Sequence, residues 1–358
     1  MNFTELSTHI LPLIDAGISI ELTSAPGRGK SEFVNNLVGT LSKRDGEEWG
    51  YADMFLATQT PPDLIGYQFK GEVTFEGKTY TITDPTMPSW FMTSDGKPVF
   101  AYKRGILFLD EFGQGQTDVK AAAAELLLNK RIGKWRLPDG WVVIAASNKQ
   151  SHRSGVTKSL DFVINRRAEI EISDDLASWK NWAESNGVSA TTIVFVDQNP
   201  QIAFSEGVPD KQGPWPTPRS IVMADRYLQA ASRDGTMPDA PQNIEIVSGL
   251  IGMAAAQQLF SFVRLQREMP KYETIVSRPK EAKVPAAADA KMLICYNLAH
   301  RVALADAAAV ITYVERLGKE FAVTFAKAAV RRDHNLVTTP AFNKWALENS
   351  SLMAAVNV

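Results

Sequence analysis

Ser24-Ala25-Pro26-Gly27-Arg28-Gly29-Lys30-Ser31 stands between an apolar run, Ile18–Leu22, and a stretch of helical character, Ser31–Ser42. A strand that turns through closely spaced glycines into a helix is the setting of a phosphate-binding loop. Glycines let successive backbone N–H groups turn inward around phosphate oxygens, and the helix N-terminus adds partial positive charge. On this reading Ala25, Pro26, Gly27, Arg28, Gly29, Lys30, Ser31 and Glu32 form the nucleotide cradle. Lys30 is expected to reach the β- and γ-phosphates, and the Ser31 hydroxyl to ligate Mg2+. The motif normally begins with glycine; Ser24 occupies that position and alters the way the chain enters the loop.

Working outward, Ile106-Leu107-Phe108-Leu109-Asp110-Glu111 is an apolar strand ending in two carboxylates. Ligands of open α/β sheets bind at the carboxyl ends of the strands, which is where these acids fall. Asp110 is expected to hold Mg2+ through water, and Glu111 to accept a proton from the attacking water. A further apolar run, Trp141–Ala146, leads into Ser147-Asn148, whose amide can orient that water. Asn165-Arg166-Arg167 precedes the run Ala168–Ile172, and an arginine there can stabilise transition-state charge in a neighbouring subunit. Thr217-Pro218-Arg219-Ser220 opens a helix in the second half, from which Arg219 can sense the γ-phosphate.

Five short apolar runs mark the first half: Ile18–Leu22, Tyr51–Ala57, Gly105–Leu109, Trp141–Ala146 and Ala168–Ile172. The middle ones are continuous apolar strands, the pattern that suits a parallel sheet covered on both faces. With helices between them, among them Asp118–Asn129, they predict a three-layer αβα core around a parallel five-stranded sheet. Two β-hairpins interrupt the rhythm, one in residues 66–87 around Glu76-Gly77-Lys78 and one in residues 131–140. After Ile172 the pattern turns helical. Ile244, Val247, Ile251, Ala255, Leu259 and Phe262 recur at helical spacing, predicting one long helix between Pro241 and Pro270, with Gly249 and Gly252 allowing close packing. The expected division is a nucleotide-binding core over residues 1–173 and an all-α lid over residues 174–358.

The 38 basic and 40 acidic side chains among 358 residues leave a formal charge of −2, so no global field favours nucleic acid or an anionic membrane. The single cysteine, Cys295, rules out an intramolecular disulfide and reads as a core residue. The four histidines are scattered. No basic segment followed by an apolar run opens the chain, and no apolar stretch is long enough to span a bilayer. A cytoplasmic protein is expected.

Taken in order, these elements resemble the AAA+ superfamily of P-loop ATPases, and within it the MoxR-like group. The resemblance spans residues 18 to about 220. It rests on Ala25-Pro26-Gly27-Arg28-Gly29-Lys30-Ser31, Pro62-Asp63-Leu64-Ile65-Gly66, Leu109-Asp110-Glu111, Arg131-Ile132-Gly133 through Leu137-Pro138-Asp139-Gly140, Ala145-Ala146-Ser147-Asn148, Asn165-Arg166 and Pro218-Arg219. It implies that Asn148 is sensor 1, Arg166 the arginine finger and Arg219 sensor 2. Arg167 replaces the aromatic residue often found after the finger, which leaves two candidates for the cation acting in trans. The resemblance further implies ATP and Mg2+ as cofactors, self-assembly into a hexameric ring or helical oligomer, and a remodelled protein partner that can carry a von Willebrand A-type domain. A nucleic-acid-acting motor and an ATP-gated assembly protein are the alternatives. Lys130, Arg131, Lys134 and Arg136 are the residues that would serve the former.

Overall fold

The computed structural model describes residues 1–148, 167–205, 209, 212–233, 236–267 and 269–349. Met1–Asp175 fall in one compact unit and most residues from Leu176 onward in a second.

In the first unit, helices α1 (Phe3–His9) and α2 (Leu11–Asp15) precede strand β1 (Ile20–Ser24), a glycine-bearing loop and helix α3 (Lys30–Asp45). Strand β2 (Gly50–Phe55) follows, then helix α4 (Pro61–Ile65) and the hairpin strands β3 (Gln68–Phe75) and β4 (Lys78–Pro85). Strand β5 (Arg104–Asp110), helix α5 (Thr117–Asn129), the short strands β6 (Arg131–Ile132) and β7 (Trp135–Arg136), and strands β8 (Gly140–Asn148) and β9 (Ala168–Glu171) complete it. The five long strands form one sheet in the order β2-β5-β8-β1-β9, every neighbouring pair parallel.

Parallel strands joined by crossovers need cover on both faces, and the side chains supply it. On one face Leu6, Ile10, Val34, Leu37 and Leu41 pack against Ile20, Leu22, Ile106, Phe108 and Ile144. On the other, Val119, Ala123, Leu126 and Leu127 of α5 meet Leu107, Leu109, Val143 and Ala145. The expected three-layer αβα core with its five-stranded parallel sheet is therefore the observed one. The strands extend beyond their apolar runs at the carboxyl ends: β1 runs to Ser24 rather than Leu22 and β8 to Asn148 rather than Ala146, because the two pair through Ser24 and Asn148. At the other end β1 starts late, at Ile20, after Gly17 takes φ 67°.

Both hairpins form. Glu76 and Gly77 connect β3 to β4 with φ 48° and 77°, the positive pair a two-residue type I′ turn requires. In its register Phe69, Val73, Phe75, Tyr80 and Ile82 share one face, and all five are exposed. Lys134, between β6 and β7, bonds Asp84 of β4 and so ties the two hairpins together.

The second unit is helical over its described residues. Ile193, Phe195, Phe260, Leu293, Tyr313 and Phe325 are among its buried residues, with Cys295 beside them as expected. The single helix expected between Pro241 and Pro270 is instead two, Pro241–Ile251 and Met253–Arg267. Gly252 breaks it at φ 79°, a conformation costly for other residues, and a Cβ there would lie 3.0 Å from the Pro214 carbonyl oxygen. Gly249 faces open space, so the close packing expected of it is absent. Among the described residues no helix is long and apolar enough to cross a membrane.

Candidate active site

Three strand ends build the site. β1 delivers the chain to the loop, where Gly27 and Gly29 stand at φ 71° and 93°. A Cβ on Gly29 would meet nothing within 4 Å, so the backbone conformation and not crowding calls for glycine there. Gly29 is the N-cap of α3, which leaves the helix's first N–H groups directed at the loop.

Lys30, on the first turn of α3, is buried. Its Nζ donates to Ser24 Oγ at 2.9 Å, to Asn148 Oδ1 at 3.0 Å and to the Ala25 carbonyl at 3.5 Å. Ser24 in turn donates to the Ala25 carbonyl at 2.8 Å. The departure from glycine thus places a hydroxyl under the loop that holds the lysine, a contact glycine cannot make. Sequence reading missed that role.

β5 brings Asp110 to the opposite side of the loop, where Ser31 Oγ donates to Asp110 Oδ2 at 2.8 Å. Asp110 Oδ1 accepts the Glu111 N–H at 2.9 Å. Glu111 adopts φ 51°, a strained conformation for a residue with a side chain, as the chain turns into the short 3-10 segment Phe112–Gln114. Asn148 Nδ2, at the end of β8, donates to Glu111 Oε2 at 3.0 Å. A lysine can only donate and a carboxylate only accept, which fixes the amide with Oδ1 toward Lys30 and Nδ2 toward Glu111.

Lys30, Ser31, Asp110, Glu111 and Asn148 are therefore joined by hydrogen bonds that link the start of α3 to the ends of β5 and β8. Glu32 lies exposed on the first turn of α3, accepting from Asn36 Nδ2 at 3.3 Å. Arg28 turns its side chain to Asp174, with Nε 2.8 Å from Oδ1. Burial lowers the Arg28 pKa, while Asp174 works in the opposite sense. What Arg28 offers the loop is its backbone. Arg166 lies outside the described residues. Arg219 is exposed on the first turn of the helix Pro218–Ala230 in the second unit, whose N-terminus Thr217 and Ser220 cap reciprocally.

Arg167 requires a correction. One of two candidates for a cation reaching a neighbouring subunit, it points into its own core: its side chain is 2% exposed and bonds Glu21, itself 4% exposed. The guanidinium also lies over the Phe112 ring, 5.8 Å from its centroid. Ser147 donates to the other Glu21 oxygen. Burial raises the Glu21 pKa, against the lowering influence of Arg167 and Ser147. Lys120 of α5 is buried close enough for Glu21 to act on its charge, and its own pKa is lowered by desolvation. This buried polar group was overlooked in the sequence, although an acid inside Ile20-Glu21-Leu22 is a visible anomaly.

No family model matches the chain, and no curated protein matches it. Solved structures similar to it include the Holliday junction branch migration motor RuvB of Thermotoga maritima, 11% identical over 78% of this chain and 74% of that one, with a TM-score of 0.38. NtrX from Brucella abortus in complex with ATP is 13% identical over 98% of this chain and 67% of that one, with a TM-score of 0.38. Hsp104 with ATPγS and FITC-casein is 14% identical over 72% of this chain and 42% of that one, with a TM-score of 0.34. The likeness is one of fold alone.

Proposed function

We propose that this protein is a Mg2+-dependent ATPase of the AAA+ kind that self-assembles and uses hydrolysis to remodel a protein partner. The observation that carries the reading is the linked set Lys30–Asn148–Glu111 beside Ser31–Asp110, at the carboxyl edge of a parallel sheet and at a helix N-terminus. Each member has a chemical task. The Gly27–Ser31 backbone cradles phosphate oxygens, and Lys30 neutralises charge on the β- and γ-phosphates. Ser31 Oγ and Asp110 Oδ2 are hard oxygen donors on one side of the loop, the type that suits Mg2+. When bound with ATP, the ion supplies charge neutralisation on the phosphate oxygens. Glu111 takes the proton from the attacking water, and Asn148 holds that carboxylate and the water in line. Arg166 is the proposed cation acting in trans, and Arg219 the γ-phosphate sensor.

A protein partner is favoured over nucleic acid by the two hairpins. Arg131 pairs with Glu125 at 3.1 Å, Lys134 with Asp84, and Arg136 with Asp139 at 3.5 Å, so three of the four basic residues singled out at the second hairpin have a carboxylate partner. Phosphate-backbone binding instead needs cations that release counterions from the nucleic acid. The exposed face of Phe69, Val73, Phe75, Tyr80 and Ile82 has the character of a protein-contact surface. By resemblance to the MoxR-like group, that partner is a complex whose maturation the ATPase drives, a von Willebrand A-type domain among the candidates.

Phosphate release with Mg2+ and ATP, compared between the parental protein and Glu111→Gln, tests the reading. We expect parental turnover, with Glu111→Gln binding nucleotide but hydrolysing at about 1% of that rate or less, and Lys30→Ala failing to bind productively. Parental turnover retained by Glu111→Gln would remove Glu111 from its role. A parental protein that neither binds nor hydrolyses ATP would end the proposal.

A further inference from the structure

The buried group behind the site asks for an explanation that stability does not provide. Replacing a buried ion pair by apolar side chains of similar volume is often neutral or stabilising, so two charges in a sheet–helix core are poor evidence of a stabilising device. Directional bonds are what Glu21 and Arg167 supply and a pair of apolar residues could not. Glu21 belongs to β1, Arg167 immediately precedes β9, Ser147 belongs to β8, and Phe112 follows Glu111 in the turn after β5. The bonds Arg167–Glu21 and Ser147–Glu21, with the Arg167–Phe112 contact, therefore connect four chain segments at one point.

Two of those segments carry residues of the proposed ATPase site one position away. Side chains alternate along a strand, so Ser147 and Asn148 project to opposite faces of the sheet. Ser147 is drawn to Glu21 on the face covered by α5, while Asn148 emerges on the other and meets Lys30 and Glu111. Phe112 under the Arg167 guanidinium similarly anchors the turn in which Glu111 is held at φ 51°.

We propose that Glu21 and Arg167, locked through Ser147, form a positioning pair for hydrolysis that sets Asn148 against Glu111 from behind the sheet without touching nucleotide. This inference rests on the ATPase reading above. The pair should bear mainly on kcat and change nucleotide affinity little, because its link to Lys30 runs through Asn148 and Lys30 also keeps Ser24 and the Ala25 carbonyl as partners.

Two sets of variants test it. Glu21→Met/Arg167→Met removes both charges while keeping volume. It also takes away the carboxylate that acts on the buried Lys120 ammonium, so it should melt somewhat lower than the parental protein but stay folded at the assay temperature. There it should bind a fluorescent ADP analogue with a Kd within about twofold, yet lose at least about tenfold in kcat, the scale on which small misplacements of reacting groups act. Ser147→Ala deletes only the bond to Glu21 and should lower kcat severalfold with KM unchanged, and Ser147→Thr should restore it. A folded double variant with parental kcat overturns the inference. Should the double variant fail to fold, the Ser147 pair decides: parental kcat in Ser147→Ala, or a loss that Ser147→Thr does not repair, also overturns it. Parental turnover in these tests with Glu111→Gln inactive upholds the ATPase reading whichever way the positioning pair falls. Absent turnover in the parental protein sinks both.

Discussion

Asn148 holds Glu111: the amide nitrogen at the end of β8 donates to Glu111 Oε2 at 3.0 Å, across the gap between two strand ends. Since the same amide accepts from Lys30 at 3.0 Å, one side chain sets the spacing between the proposed base and the proposed phosphate ligand. Asn148→Ala removes that spacer without adding charge. We expect kcat to fall about 10²-fold, in the range of a lost preorganised donor, with nucleotide affinity little changed. Asn148→Asp should be worse, because it sets a second carboxylate against Glu111. Steady-state hydrolysis together with a direct binding measurement checks both. A shift in KM alone would show that Asn148 serves binding and not the chemical step.

How far the site could be read in advance follows from what each residue asks of its surroundings. Gly27, Gly29 and Lys30 lie in the turn from the buried strand β1 into α3, and Asp110 and Glu111 at the end of the buried strand β5; local pattern and chemistry agree there, and their meeting was legible. The hairpins were legible too, since Glu76-Gly77 is a turn signal between alternating residues. The helix break at Gly252 was not, because Gly249, three residues earlier, stays within the helix while Gly252 takes φ 79°, and local sequence does not tell the two apart. Nor was the inward turn of Arg167. Two adjacent arginines read alike in sequence, and that Arg167 faces the core depends on Glu21, 146 positions earlier. Ser24 as the partner of Lys30 likewise follows from register, through its pairing with Asn148.

Gly105 of β5 is required by a neighbour and not by its own backbone. A Cβ there would lie 2.5 Å from Trp141 Cε2 and 2.8 Å from the Gly50 carbonyl oxygen, between a fully buried indole and an adjacent strand. Trp141 is further tied by Nε1 donating to the Tyr102 carbonyl at 3.2 Å, which limits its retreat. Gly105→Ala should cost about 1–3 kcal/mol, the usual penalty of overpacking a tight core. Urea unfolding reads it directly, and an unchanged midpoint would mean that the Trp141 side chain yields freely.

Asp45, the last residue of α3, gives the fold an acid-sensitive joint. Its carboxylate accepts from Arg44 Nε at 2.6 Å, from Trp49 Nε1 at 3.0 Å and from Arg104 Nη1 at 2.7 Å, linking the end of α3 to the start of β5. These bonds, Arg44's foremost, hold its pKa down to about 2. A carboxyl depressed in the folded state contributes stability above its unfolded value, about 3.9, and loses that contribution as pH falls toward about 2. Asp45→Asn should therefore be less stable than the parental protein at pH 7, and the gap should narrow below about pH 4. Unfolding curves for both proteins between pH 7 and pH 3 give the test; a gap independent of pH would mean that packing at this position, and not charge, is what the substitution disturbs.

The inward placement of Arg167 sharpens the question of which cation acts across a subunit boundary. With Arg167 bonded to Glu21, only Arg166 of the adjacent pair is left for that task, and the two substitutions should fail in different ways. Arg167→Ala strands a carboxylate in the core, so it should lower the melting temperature as well as turnover, at a cost of about 3–5 kcal/mol for a broken buried pair. Arg166→Ala should leave the melting temperature and ATP affinity near parental and reduce kcat strongly, because the lost charge acts on the transition state. If Arg166 acts in trans, inactive Arg166→Ala subunits mixed with inactive Lys30→Ala subunits will create some boundaries with a sound loop on one side and a sound arginine on the other. Hydrolysis should return in the mixture and in neither component alone. Arg167→Ala mixed with Lys30→Ala should recover less, since the Arg167→Ala subunit is impaired in its own core and cannot be mended by a neighbour. Mixed oligomers that form and stay inactive in the first experiment would place Arg166 in the site of its own subunit.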